Sequence, residues 1–147
     1  MINKHMLTED TYITLPDEPN AKITEVFDRF IKGEEMQVES MDKNRIQPGE
    51  VCNTRTADSR DFISIHFDSS KSLVLTPDHR VYLPVEKKYT RADELATGME
   101  VLSSNNKPNK ITSTHNIRDN RSSRVYALAI APVQNYFAND VLVHNEG

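Results

Sequence analysis

Cysteine is nearly absent: Cys52 is the only one in 147 residues, which excludes an internal disulfide framework. Glycine is also scarce, at four residues, and tryptophan is missing altogether. No apolar run approaches the roughly 20 residues needed to span a bilayer, "VYALAIAPV" being among the longest, and no signal-peptide core opens the chain. The five histidines, His5, His66, His79, His115 and His144, are scattered without close metal-ligand spacing, so neither a metal nor a cofactor is expected. A formal net charge of -4 with 27% charged residues offers no general attraction to nucleic acid or to an anionic membrane. These absences describe a soluble chain, expected to be monomeric and, when expressed alone, cytoplasmic, whose partners must come from a site and not from bulk charge.

What is present is a series of short β-branched and aromatic runs between turn formers. "TYITL", "EMQVESM", "DFISIHF", "SLVLT", "RVYLP", "EVLSS", "RVYALAI" and "NDVLVHN" point to one all-β domain. Two segments break that pattern. In "ITEVFDRFIKG" the spacing of Ile23, Val26, Phe27, Phe30 and Ile31 predicts an amphipathic helix ended by Gly33, with Phe27 and Phe30 in the core. "TRADELATG" predicts a second, shorter helix before Gly98. Each is followed by a strand, "GEEMQV" and "GMEVL", a faint internal duplication. The polar stretches "DSRD", "DSSKS", "SSNNKPNK" and "RDNRSS" read as loops.

Two places carry chemistry-bearing residues. In "LTPDHR", a turn presents the hydroxyl of Thr76, the carboxylate of Asp78 and the imidazole of His79 on one side, a set that can grip a peptide bond. Cleaving an amide requires a donor for the departing nitrogen, which suits His79, and hydrogen bonds for the developing oxyanion, which suits Thr76. A strand-ending turn with a solvated histidine is the plainer reading of those residues taken alone. At the end of the chain, the side-chain amide of Asn145 can attack its own backbone carbonyl, close a succinimide and release the downstream segment. His144 can polarise that carbonyl or protonate the departing amine.

"MLTEDTYITL", "LVLTPDHRVYL" and "RVYALAIAPVQNYFANDVLVHN" resemble, in order, the N-terminal, central and C-terminal motifs of Hint domains. These are the self-processing modules of inteins, bacterial intein-like proteins and hedgehog proteins, and "RADELATGMEVL" resembles the family's helix-then-glycine segment. The resemblance covers nearly the whole chain at the length of a mini-intein. It implies an all-β, horseshoe-like fold of pseudo-two-fold halves with two short helices, holding both chain ends in one cleft. It also implies autocatalytic cleavage, in a single turnover, of the domain's own flanking segments. The domain would span residues 6–145, with 1–5 a tag or N-terminal flank and 146–147 a C-terminal flank.

The sequence departs from the family at four positions. The nucleophilic first residue falls on Met6, whose thioether cannot form an acyl intermediate, so the step is naturally absent or a cysteine or serine has been replaced. Glu146 stands where splicing needs cysteine, serine or threonine, which favours C-terminal cleavage over splicing and fits the bacterial intein-like branch. Ala127 falls on a frequent aspartate and Gln134 on a frequent histidine, so slow cleavage is expected. A terminal asparagine argues against the hedgehog branch. Cys52 lies too far upstream to substitute for the first nucleophile and reads as a half-buried strand residue, and His66 and His115 read as strand or loop residues. The competing expectation is a degenerate Hint-fold interaction module without activity.

Overall fold

The computed structural model describes residues 5–144. The first half of the chain supplies β1 (Leu7–Thr8), β2 (Tyr12–Ile13), β3 (Ala21–Lys22), helix α1 (Ile23–Ile31), β4 (Gln37–Asp42) and β5 (Arg45–Phe67). The second supplies β6 (Ser72–Leu75), β7 (Arg80–Leu83), β8 (Lys88–Arg91), a single 3-10 turn (Ala92–Glu94), β9 (Glu100–Leu102) and β10 (Pro108–Ala131). The hairpin of β11 (Asn135–Ala138) and β12 (Val141–His144) completes the fold.

These strands form two six-stranded antiparallel sheets, ordered β4-β5-β6-β1-β10-β9 and β3-β2-β11-β12-β7-β8. Exchanging the two halves, β1 with β6, β5 with β10, β4 with β9, β2 with β7, β3 with β8 and β11 with β12, leaves both orders unchanged when read backwards. The duplication visible in the sequence is therefore a duplication of topology, with two interlocked halves. Gly33 and Gly98 occupy matching places and share φ = +94°, a conformation that suits a residue without Cβ. After α1 the glycine completes a Schellman ending, with Gly33 N–H donating to Phe30 O at 3.0 Å and Glu34 N–H to Arg29 O at 3.1 Å.

The second helix is only the 3-10 turn Ala92–Glu94, because just Ala92 and Leu95 face the core there. A segment that buries so little cannot offset the cost of nucleating a longer helix. On α1 the buried stripe is narrower than its spacing suggests. Ile23 and Val26 are buried, Phe27 and Phe30 are half-buried at the core's edge, and Ile31 is 61% exposed. Phe27 meets the ring of Tyr126 edge-on at 5.6 Å.

The last hairpin shows how the core is filled. Tyr136, Ala138, Val141 and Val143 enter the main apolar cluster, whereas Phe137 and Leu142 join Met41 and Leu102 in a second one. Alternate residues of each strand thus feed opposite faces, as the pleat requires, and a hairpin covered on both sides needs apolar residues almost throughout. Asn139 and Asp140 turn the chain with φ of 45° and 67°, a conformation that short Asn and Asp side chains tolerate. The Asn139 carboxamide also accepts from Tyr12 N–H at 2.8 Å and donates to Ser72 O at 2.9 Å, tying the turn to both halves.

Two expected loops are not loops. "DSRD" lies within β5 and "RDNRSS" within β10, in a long polar arm where the two strands pair with a register irregularity between Arg118 and Ser123. Cys52 is exposed, not half-buried, and lies at a bulge where Asn53 pairs with Ala129 but Val51 with Ile130. His66 and His115 face each other across the same arm, ring centroids 5.8 Å apart.

Candidate functional site

The turn "TPDH" joins β6 to β7 and therefore crosses from one sheet to the other. Thr76 and His79 are fully buried there, and Asp78 is half-buried. Burial makes their hydrogen bonds informative, since polar groups removed from water need partners.

The peptide joining His5 to Met6 runs directly across this turn. Met6 N–H donates to Thr76 Oγ1 at 2.9 Å, and His5 N–H donates to Asp78 Oδ1 at 3.0 Å. Thr76 N–H returns a bond to Met6 O at 2.9 Å, while the Thr76 hydroxyl donates to Asp78 Oδ1 at 2.9 Å, with Met6 O at 3.3 Å. The Thr76 hydroxyl oxygen thus meets the amide nitrogen of this peptide. His5 itself is held at φ = +48°, a left-handed conformation costly for a residue with a Cβ, and is sealed in place by burial. Its ring meets His79 edge-on, centroids 6.4 Å apart.

His79 lies at the centre. Neither ring nitrogen finds a hydrogen-bond partner of good geometry among the described residues. Burial pushes its pKa down to about 3; the neighbouring His5 acts in the same direction, Asp78 and the Arg80 backbone oppose it, and His144 adds a little to the lowering. The imidazole is therefore neutral at ordinary pH and a weak base, with no imidazolium proton to give.

His144 approaches from the other end of the chain. On β12 it pairs with Arg80 of β7, the residue after His79, and with Asn135 of β11. Its ring lies 4.7 Å from that of Tyr89 on β8. Asn145 and Glu146, the remaining members of the expected C-terminal junction, lie outside the described residues.

The other positions are equally specific. Met6 is fully buried in a small apolar cluster with Phe62, Val125 and Ala127, which brings together two of the positions where the sequence departs from the expected pattern. A cleft of about 450 Å³, lined in part by Phe62, Val74 and Ile117, opens beside that cluster. Gln134 is exposed next to Asn135. Among the described residues no group of three or more His, Cys, Asp or Glu side chains could hold a metal ion. No described helix is long and apolar enough to cross a membrane. Sequence reasoning did not single out His5, Tyr89 or Asn135, because their roles arise from strand pairing between distant segments and not from any local motif.

No protein-family model matches the sequence, and no curated protein matches it significantly. Solved structures do match. A bacterial intein-like domain from Clostridium thermocellum superposes with a TM-score of 0.84 at 16% identity, covering 97% of this chain and 100% of that one. The TvoVMA intein gives 0.82 at 17% identity, over 95% of this chain and 97% of its own. A DnaB intein from Synechocystis gives 0.80 at 16% identity, over 97% and 99%. The chain has the all-β Hint fold that these inteins and the intein-like domain share.

Proposed function

We propose that this intein-like chain is a self-processing domain spanning residues 6–145, whose substrate is its own flanking polypeptide and whose working reaction is C-terminal cleavage at Asn145. The observation that carries this reading is that the first and last described segments both reach the turn between β6 and β7 or the start of β7. Thr76 holds the His5–Met6 amide at 2.9 Å, and His144 pairs with Arg80, one residue beyond His79.

In the proposed reaction Asn145 Nδ2 attacks the carbonyl carbon of its own residue, and the new C–N bond closes a five-membered succinimide. The bond to the Glu146 nitrogen breaks, and the proton surrendered by Nδ2 passes to the departing amine. His144, half-buried beside the junction, is suited to relay that proton. The advantage is one of proximity, since nucleophile and electrophile belong to the same residue. No cofactor or metal takes part. At the N-terminal junction Thr76 and Asp78 grip the peptide and His79 lies beside it, but the Met6 thioether supplies no nucleophile, so the acyl shift is silent in this chain. Glu146 likewise offers no side chain for transesterification, which leaves cleavage without splicing.

One observation favours a second reading, a Hint-fold interaction module without activity. Met6 is sealed among apolar side chains, as a purely structural residue would be. Intact-mass spectrometry during prolonged incubation separates the two. Release of the Glu-Gly dipeptide, abolished by Asn145→Ala, supports cleavage, and an unchanged mass in both proteins overturns it.

A further inference from the structure

We infer that Tyr89, fixed by Asn135, is the positioning residue for the His144 imidazole in the C-terminal step, an inference that rests on the self-processing reading. Asn135 and His144 are cross-strand partners, so their side chains leave the same face of the sheet. Asn135 is buried, and its carboxamide is committed at every position. Oδ1 accepts from Ser40 Oγ at 2.6 Å and from Met41 N–H at 2.8 Å, and Nδ2 donates to Met41 O at 2.8 Å and to Tyr89 Oη at 3.1 Å. A group saturated in this way cannot turn without leaving buried polar atoms unpaired.

The Tyr89 hydroxyl is therefore anchored to β4 and β11 through an immobile amide. Its ring is flanked by Tyr82, centroids 5.1 Å apart and tilted by 55°, and by His144 at 4.7 Å and 54°. Held at its hydroxyl and against Tyr82, Tyr89 forms a fixed wall beside the imidazole. His144 is the last residue of β12 and is only half-buried. Without that wall the imidazole would sample other rotamers, and small misplacements of a proton-transfer group cost large factors in rate. Burial pushes the Tyr89 phenol pKa up, against the bond from Asn135, so the hydroxyl stays protonated and serves as an anchor.

The test uses the full chain in two backgrounds. With Asn145 intact, Tyr89→Leu, which keeps apolar bulk but removes ring and hydroxyl, should slow Glu-Gly release by about tenfold or more, and Tyr89→Phe, which keeps the ring but loses the bond from Asn135, should slow it by a smaller factor of about threefold to tenfold. In the uncleavable Asn145→Ala chain, NMR should show a cross-ring NOE between Tyr89 and His144, and Tyr89→Leu should shift the His144 ring resonances. Release by the Leu variant at the parental rate overturns the inference. So does absence of the NOE, which is measured without any change at Tyr89 and remains decisive if the Leu variant fails to fold. If the parent chain releases no dipeptide, the self-processing reading falls, and the NMR result alone decides whether Tyr89 positions His144.

Discussion

The hydroxyl of Thr76 accepts a hydrogen bond from the backbone nitrogen of Met6 at 2.9 Å, across 70 residues of sequence, in a place closed to solvent. Replacing it with valine, nearly the same shape, leaves a buried N–H without its acceptor. Thr76→Val should lose about 1–3 kcal/mol of stability, while Thr76→Ser should retain most of it, as measured by urea denaturation.

His79 makes stability depend on pH in a defined direction. The folded imidazole has a pKa of about 3, whereas an unfolded histidine titrates near its ordinary value of 6.5. Between those values the unfolded chain binds a proton that the folded chain does not, so stability falls as pH drops through this window. Denaturant midpoints measured from pH 7 to pH 4 should decline by an amount worth a few kcal/mol, and His79→Gln should flatten that decline. Equal slopes in the two proteins would disprove the assignment.

Met6→Cys places a sulfur nucleophile at the peptide held by Thr76 and Asp78. With test segments on both sides, adding a small thiol should release the upstream segment, detectable by gel and mass; no release would end the case for an N-terminal acyl shift. The variant should also be less stable by about 1–2 kcal/mol, because the cluster with Phe62, Val125 and Ala127 loses buried volume.

Gly49 is required by crowding. A Cβ there would lie 2.6 Å from Ile130 Cγ2 and 3.1 Å from Ser40 Cβ. Gly49→Ala should destabilise by about 1–3 kcal/mol in thermal or chemical melts, and Ile130→Ala in the same chain should relieve part of the clash.

The fold was most legible where residues signal locally. Gly33 announced the end of α1, and the β-branched and aromatic runs "SLVLT" and "RVYLP" announced strands. The polar arm was illegible because its strands are exposed: Arg55, Asp58 and Arg118 carry no apolar pattern, and pairing between β5 and β10 alone makes them β-structure. Ile31 misled because a helical stripe records which residues could be buried, not how far the neighbouring surface extends. For the candidate site, "TPDH" and His144 were conspicuous as sequence. The bond from Met6 N–H to Thr76 and the anchoring of Tyr89 by Asn135 depend on tertiary pairing that no local spacing encodes.

The interlocked order of the first sheet has a consequence for timing. Leu7 lies between Leu75 on one side and Tyr126 on the other, so the strand next to the His5–Met6 peptide is complete only when residues made much later have arrived. During synthesis from the N-terminus, the ribosome must deliver most of the domain before that first strand is enclosed. A half-made copy therefore lacks the enclosure of Leu7 that places the His5–Met6 peptide against Thr76.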